Sequence, residues 1–286
     1  MIDEHEIPSG SRLYFGASAK LKREIETAAS QFLDNAGFKE IVTPFFSYHQ
    51  HQSISTKELI KFSDAHNHTL SLRADSTQDV VRLITKRLGR STNHNKWFYI
   101  QPVFRYPSIE SNQIGAEFID NDDLGSSISV CKDIFAKFSF DPLLHISNIN
   151  IPRIIAKELH VSLDIFEKAQ LQKILALDIA WIQDLVHLQN LSDIDALIAK
   201  VPQNIKGELL KMKQLALASG YKHIVLSPLY YAQMRYYDAL FFRFIDKNIT
   251  LAKGGSYESE GMRSSGFAIY TDAFIETMKD RKNHEK

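Results

Sequence analysis

Residues 97 to 106 read Trp97-Phe98-Tyr99-Ile100-Gln101-Pro102-Val103-Phe104-Arg105-Tyr106. The aromatic and β-branched residues of this stretch predict a β-strand. Pro102 has no backbone N–H to donate, so the strand is predicted to lie at a sheet edge or to be bulged there. A further strand is predicted from about Gln113 to Ile119. The segment from residue 97 to residue 119 is therefore expected to be β-structure.

Upstream of this segment, the sequence alternates helix and strand. Apolar residues recur at steps of three and four between Ala19 and Ala36, which predicts an amphipathic helix. Ser18 is its expected N-cap, and Gly37 is expected to adopt the left-handed conformation after its last turn. A short β-branched strand follows and stops at Pro44, and a second helix is predicted over Ala74–Leu88.

Downstream, a helical block interrupts a chain that is otherwise rich in strands. Residues from about His145 to Ser219 carry apolar residues at helical spacing. The strands predicted after it are His223–Leu226, Tyr236–Ile245, Ile249–Ala252 and Gly266–Tyr270. Strands, a helical block and strands again predict an α+β fold. We expect a single domain over residues 1–286, an antiparallel sheet flanked by helices with a helical insertion at about 145–219.

Composition restricts the function classes. The 286 residues include 34 Lys+Arg and 34 Asp+Glu, so the formal net charge is 34 − 34 = 0. Proteins that bind nucleic acid usually carry a surplus of basic residues, so no nucleic-acid partner is expected. No apolar run approaches the ~18 residues of a membrane span, and the N-terminus is acidic rather than leader-like. We expect a cytoplasmic protein with no membrane partner.

Metal and disulfide chemistry are not expected either. Cys131 is the only cysteine, which excludes an intramolecular disulfide and a thiolate cage. The pairs His49/His51 and His66/His68 have spacing compatible with a shared ion, but no third ligand lies near them in the sequence. The sequence therefore predicts neither a metal site nor a resident cofactor.

Several polar residues are candidates for a ligand site. Asp75 and Thr77 stand where a strand is expected to pass into a helix. Asp75 there is also explained by capping of the first helical turn. Gln113 and Glu117 share one face of their strand, because side chains alternate with period two, and Gly115 leaves a gap between them. The face suits a small polar ligand, although a solvated sheet face carries the same pattern.

Tyrosines cluster in the C-terminal third. They occur as Tyr230-Tyr231, as Tyr236-Tyr237 and, after a flexible glycine pair, in Gly254-Gly255-Ser256-Tyr257-Glu258. Buried tyrosines usually belong to a core with their hydroxyls satisfied. They also suit the walls of a pocket for a planar ligand. Both readings remain open from the residues alone.

Taken in order, these segments resemble the core of a class II aminoacyl-tRNA synthetase of the histidyl type, over nearly the whole chain. The first helix, Gly37 and the strand before Pro44 resemble the family's first motif, which builds a homodimer interface. Residues 72–77 resemble the pattern Leu-Arg-Pro-Glu-x-Thr, with Asp75 in place of the glutamate. The other matching segments are Trp97–Tyr106, Gln113–Glu117, Ser227–Tyr237, Gly254–Glu258 and Gly266–Ile269.

The departures from that family concern the residues that handle ATP. The arginine that acts in amino-acid activation corresponds to Ala232, and the glutamate that contacts ATP corresponds to Pro107. The phosphate-binding arginine of the third motif corresponds to Ala273, and its small glycine to Tyr270. Stabilising a pentavalent phosphorus requires fixed cations. The resemblance therefore implies that aminoacylation is lost, and no anticodon-binding domain is expected.

This combination is similar to the ATP phosphoribosyltransferase regulatory subunits, the synthetase paralogues of histidine biosynthesis. The resemblance implies a subunit with no catalytic residues of its own, which activates a short catalytic subunit and carries feedback inhibition by histidine. It also implies dimers of this chain within a mixed complex, usually a hetero-octamer.

The resemblance further implies which residues bind L-histidine. Arg105 would face the carboxylate, and Asp75, Thr77 and Gln113 would hold the ammonium. Glu117 would accept a hydrogen bond from a ring N–H. The walls of the ring pocket would be three tyrosines, Tyr236, Tyr237 and Tyr257. Asp75 is one methylene shorter than the family glutamate, so its contact is expected to be longer or bridged by water.

Two other function classes compete with this interpretation. One is a histidyl-tRNA synthetase-like enzyme that activates an amino acid, which the missing arginines disfavour. The other is a scaffold with a vestigial pocket, in which Arg105 and Glu117 simply pair with each other. Histidine binding to the isolated chain separates the scaffold from the regulatory subunit.

Overall fold

A computed structural model describes residues 6–48, 54–89, 91–231, 237–259 and 261–284. The chain forms two compact units. Unit 1 comprises residues 1–120, 259–262 and 268–286, and unit 2 comprises residues 121–258 and 263–267. The expectation of one continuous domain stays a prediction.

Helices and strands alternate along the described chain. The α-helices are α1 (Ala17–Asn35), α2 (Ser76–Leu83), α3 (Leu124–Ala136), α4 (Asn150–Glu158), α5 (Asp164–Glu167), α6 (Leu171–Leu175), α7 (Ala180–His187), α8 (Ile194–Ile198), α9 (Gln203–Ser219) and α10 (Thr271–His284). The strands are β1 (Lys39–Glu40), β2 (Phe46–Ser47), β3 (Lys61–Ser63), β4 (Thr69–Leu72), β5 (Lys96–Arg105), β6 (Ile109–Phe118), β7 (Leu143–Asn148), β8 (Ile224–Leu226), β9 (Tyr237–Asp246), β10 (Ile249–Ser259) and β11 (Met262–Tyr270).

Helix α1 forms because one stripe of its surface is apolar. The buried apolar residues of that stripe are Leu21, Ile25, Ala29 and Leu33. Gly37 has φ +82°, so the left-handed residue predicted after the helix is confirmed. Ser18 is not the N-cap, because the helix starts earlier and Gly16 occupies that position. The Ser18 hydroxyl instead donates to the carbonyl of Phe15 at 2.8 Å.

Strands β5 and β6 form a long antiparallel pair, as the sequence predicts. The register runs from Lys96 opposite Phe118 to Arg105 opposite Ile109. On its other side β5 pairs in parallel with β1, but only at Trp97 and Phe98. The described strands therefore leave that side of β5 unpaired at Pro102, where a residue without an N–H is tolerated.

A buried arginine fastens three segments of unit 1 together. Arg73 is 1% exposed and follows β4. Its Nη1 donates to the carbonyl of Thr43 at 2.7 Å, and its Nε and Nη2 donate to the carbonyl of Pro102 at 2.9 and 2.7 Å. The guanidinium carbon also lies 5.1 Å from the centroid of the Phe45 ring. The backbone between β1 and β2 is thereby held against β5.

Unit 2 orders its strands β10, β9, β7 and β8. Strand β9 pairs antiparallel with both β10 and β7, whereas β7 and β8 are parallel. Parallel neighbours need a long crossover connection, and here residues 150–219 supply it as six helices. The predicted helical insertion is therefore present, but it begins at Asn150, because residues 143–148 form β7.

The predicted α+β fold, a sheet flanked by helices, is confirmed, and the sheet is mixed rather than wholly antiparallel. Two pairs of strands are parallel, β1 with β5 in unit 1 and β7 with β8 in unit 2. Sequence patterns locate strands but carry no direction, which is why both short strands were predicted without their parallel pairing. Among the helices that the structure describes, none is long and apolar enough to cross a membrane.

Candidate functional site

The candidate site in unit 1 is built on the β5–β6 pair. Glu117 stands opposite Trp97, and Gln113 stands opposite Gln101, so Gln113 and Glu117 share one face as predicted. Glu117 is fully buried. An ionisable carboxyl group at 0% exposure is unusual in a protein interior and marks this end of the strand pair as a place for a specific polar contact.

The gap predicted at Gly115 is occupied by Tyr99. Tyr99 stands opposite Gly115, and a Cβ at Gly115 would lie 2.1 Å from Cζ of the Tyr99 ring. The Tyr99 hydroxyl lies 3.1 Å from the hydroxyl of Thr77. Tyr99 was not among the sequence candidates, although its place two residues after Trp97 on an alternating strand puts it on the same face. The Tyr99 hydroxyl therefore makes one polar contact from β5 to α2, and the side-chain amide of Gln101, which donates to the Ser76 hydroxyl at 3.1 Å, makes another.

Asp75 has a structural role as well as a candidate one. Its side chain accepts a hydrogen bond from the backbone N–H of Gln78 at 3.1 Å and caps α2. The predicted helix over Ala74–Leu88 is thus shorter at its start, with a π-helical turn at its end. Burial raises the pKa of Asp75 to about 6, while the hydrogen bond from Gln78 and the charge of Arg105 act in the opposite direction. The carboxyl group is nonetheless ionised at neutral pH.

Arg105 lies at the far end of β5 from Glu117. Its Nε donates to the carbonyl of Ala74 at 3.4 Å, and its Nη1 is 3.8 Å from a carboxylate oxygen of Glu58. Eight residues separate it from Trp97, the partner of Glu117, which is roughly 26 Å along a strand. Arg105 and Glu117 therefore do not form the ion pair that the vestigial-pocket hypothesis requires.

The candidate tyrosines belong to unit 2. Tyr237 stands opposite Tyr257 on β9 and β10, and both are buried. Tyr236 lies outside the described residues. The pair Gly254-Gly255 is not a flexible loop, as the sequence suggested, but part of β10. A Cβ at Gly255 would lie 2.4 Å from the Tyr237 ring, so the absence of a side chain at Gly255 leaves room for that ring.

A pH titration tests the environment of Asp75. The folded-state pKa of about 6 lies above the unfolded value near 3.8, so ionising Asp75 costs stability. That cost is fully present above pH 6 and disappears as the pH falls toward 3.8. Asparagine at position 75 can still cap α2 but carries no charge. We therefore expect the free energy of unfolding of Asp75→Asn to be about 1–2 kcal/mol higher than that of the wild type at pH 7.5. Near pH 4 the two free energies of unfolding should be equal.

Urea unfolding at several pH values measures this difference. Asp34→Asn, which removes an exposed carboxylate of α1, controls for the change in net charge. A stability difference between Asp75→Asn and the wild type that stays constant from pH 4 to pH 8 contradicts the raised pKa.

Comparisons with known proteins agree on one family. Residues 14–274 match the family model described as Histidyl-tRNA synthetase. The chain is 48% identical over 277 residues to the ATP phosphoribosyltransferase regulatory subunit of Wolinella succinogenes, covering 96% of both chains. It is 40% identical to the regulatory subunit of the same name from Helicobacter hepaticus, covering 97% of this chain and 99% of the relative.

Solved structures share the fold at low identity. An ATP phosphoribosyltransferase regulatory subunit/histidyl-tRNA synthetase from Bacillus halodurans superposes with a TM-score of 0.85 at 18% identity, over 96% of this chain and 83% of that one. The ATP phosphoribosyl transferase (HisG:HisZ) complex from Thermotoga maritima gives a TM-score of 0.68 at 17% identity, over 88% and 97%. The chain belongs to the histidyl-tRNA synthetase family and, within it, to the ATP phosphoribosyltransferase regulatory subunits.

Proposed function

We propose that this chain activates the short catalytic subunit of ATP phosphoribosyltransferase, at the first step of histidine biosynthesis, and makes that complex sensitive to histidine. The observation that carries the proposal is the 48% identity to the Wolinella succinogenes regulatory subunit, over 96% of both chains. The Thermotoga maritima structure is a complex by its own description, which supports a catalytic partner for this chain. The proposed setting is a cytoplasmic hetero-octamer built on dimers of this chain.

The first-motif segment supports self-association. Exposed apolar side chains lie within it and on both sides of it along the chain: Leu13, Phe15, Val42, Phe46 and Tyr48. Clustered exposed apolar residues usually mark an interaction surface. We propose that a second copy of this chain covers them.

Two replaced positions support the loss of aminoacylation. Ala273, at the position of a phosphate-binding arginine, lies on α10 and offers only a methyl group. Pro107, at the position of a glutamate that contacts ATP, follows β5 and has no acidic group. Ala232 lies outside the described residues. Arg105 alone cannot replace the missing cations.

Five of the proposed histidine residues lie in unit 1. Arg105 and Glu117 stand at opposite ends of one strand pair, with Asp75 and Thr77 at the start of α2. These two ends are roughly 26 Å apart along the strand, which is farther than one histidine molecule extends, so the contacts of Arg105 and Glu117 with the same ligand stay predictions of the resemblance. The ionised Asp75 suits the ammonium, together with Thr77 and Gln113. The three tyrosine contacts, from Tyr236, Tyr237 and Tyr257, stay predictions of the resemblance.

Glu117→Ala tests the proposal. Loss of a charge-assisted hydrogen bond in a buried site costs about 1–3 kcal/mol, so histidine should bind the variant roughly 5- to 150-fold more weakly. Histidine inhibits only through a difference in affinity between two states of the complex. Inhibition should therefore weaken by the same factor as binding. Calorimetry on the isolated chain and histidine titration of the reconstituted complex measure the two quantities.

Two further variants make this experiment decisive. Glu117→Gln keeps the volume of the buried side chain while removing its charge, and Glu110→Ala removes a partly exposed carboxylate of the same strand. The first should resemble Glu117→Ala, and the second should resemble the wild type. If inhibition of the Glu117→Ala complex equals that of the wild type, the inhibitor binds elsewhere.

The proposed loss of aminoacylation has its own test. Histidine-dependent ATP–pyrophosphate exchange by the purified chain would contradict that loss.

A further inference from the structure

Unit 2 contains a cavity that the proposed histidine site does not use. Its volume is about 640 Å³, which lies within the usual range of small-molecule sites. The cavity lies where the helical insertion meets β8 and β9. Its apolar walls are Phe166, Ile174, Leu185, Leu188, Val225 and Phe241. None of the seven proposed histidine residues that the structure describes lines it.

Two lysines, Lys168 and Lys253, and one carboxylate, Glu167, are among the lining residues of the cavity. Lys253 and Tyr230 both line it. Lys253 stands opposite Arg243, and Arg243 stands opposite His145, so the three basic side chains share one face of neighbouring strands. The His145 ring is neutral, so the positive charge of this row comes from Lys253 and Arg243, which raise the electrostatic potential on their side of the cavity.

Arg243 prepares the Tyr230 hydroxyl to donate. Its Nη1 donates to the Tyr230 oxygen at 3.0 Å, and its guanidinium carbon lies 4.0 Å from the centroid of that ring. The hydroxyl oxygen thus accepts from a cation, and among the described residues it has no acceptor for its own proton. The O–H of Tyr230 is therefore available to a ligand in the cavity.

Arg243 also has no carboxylate to balance its charge. Within the described parts of the chain it forms no ion pair, and its Nε is buried without a hydrogen-bond partner. Its remaining polar neighbour is Nδ1 of His145, at 3.5 Å from Nη2. Burial and the charge of Arg243 lower the pKa of His145 to about 3, so that ring is neutral. A half-buried cation without an anion is costly, and an anionic ligand would offset that cost.

We propose that this cavity binds a small molecule with an apolar body and a single anionic group. The anion meets the ammonium of Lys253 and the hydroxyl proton of Tyr230, and Arg243 positions that hydroxyl from behind. The apolar body lies against the side chains of the helical insertion. This cavity is separate from the proposed histidine site, and its ligand does not depend on the proposed function.

A pair of fluorescent probes tests the proposal on the full chain. Anilinonaphthalene sulfonate has an aromatic body and one anionic group, and N-phenylnaphthylamine has a similar body without the charge. We expect one equivalent of the sulfonate to bind more tightly than the uncharged probe. Lys253→Gln and Tyr230→Phe should each weaken the sulfonate about tenfold and leave the uncharged probe unaffected, because each removes one charge-assisted contact.

Two controls decide between this cavity and non-specific surface binding. Leu229→Trp fills the cavity from a partly exposed lining position and should abolish binding of both probes. Lys222→Gln removes an exposed cation of the same unit and should change neither affinity. Equal affinities of the two probes, or sulfonate binding that survives Leu229→Trp, would overturn the proposal. So would an unchanged sulfonate affinity in both Lys253→Gln and Tyr230→Phe.

Discussion

Replacing Arg73 with Met is expected to lower the free energy of unfolding by roughly 3–5 kcal/mol. The side chain is fully buried, and it donates to the carbonyls of Thr43 and Pro102 and to the Thr43 hydroxyl. Methionine fills much of the same space but leaves those acceptors buried without a donor, which costs about 1–3 kcal/mol for each. Guanidinium chloride unfolding, followed by circular dichroism, measures the loss.

The variant Arg73→Lys distinguishes the contribution of the positive charge from that of the forked hydrogen bonds of the guanidinium group. Lysine keeps the positive charge, but its single ammonium cannot reach two carbonyls in the forked manner of a guanidinium. We expect it to recover only part of the lost stability. If Arg73→Met were as stable as the wild type, the contacts of Arg73 would contribute nothing net to the fold.

Gly254→Ala is expected to destabilise unit 2 by roughly 3 kcal/mol. A Cβ at this position would lie 2.6 Å from the carbonyl oxygen of Gly266 and 2.5 Å from the ring of Phe242. The first neighbour is backbone and the second is a fully buried ring, so neither can give way cheaply. The unfolding midpoint of the variant measures the effect.

The matched control is Gly207→Ala in α9. A Cβ there would meet nothing within 4 Å. Alanine favours the helix interior over glycine by about 0.5–1 kcal/mol, so this variant should be slightly more stable than the wild type. The same substitution is thus expected to have opposite signs at the two sites. Equal changes in stability from the two substitutions would mean that the close contacts at Gly254 do not require a glycine there.

The parts of the fold that follow from the sequence are those with local causes. The period of α1, the left-handed Gly37 and the β5–β6 strands are all confirmed, because each depends on residues adjacent in the chain or on one face of an element. The capping role of Asp75 is confirmed for the same reason.

The parts that sequence reasoning missed depend on partners distant in the chain. The local sequence around Arg73 does not predict its role, because its acceptors lie 29 and 30 residues away. Tyr99 was read as one residue of an apolar strand, because its relation to Gly115 exists only once the register is fixed. The direction of β1 and β8 is likewise set by the path of the chain rather than by composition.

The contact between Tyr99 and Gly115 also constrains how this family can diverge. Any side chain at position 115 and an aromatic ring at position 99 exclude each other, since they would lie 2.1 Å apart. Substitution at Gly115 is therefore harmful until Tyr99 has been replaced by something smaller. Replacing Tyr99 first removes the hydroxyl beside Thr77 and leaves a void on the strand pair. Replacement of Tyr99 must therefore precede substitution of Gly115. We expect the residues at these two positions to change together within the family.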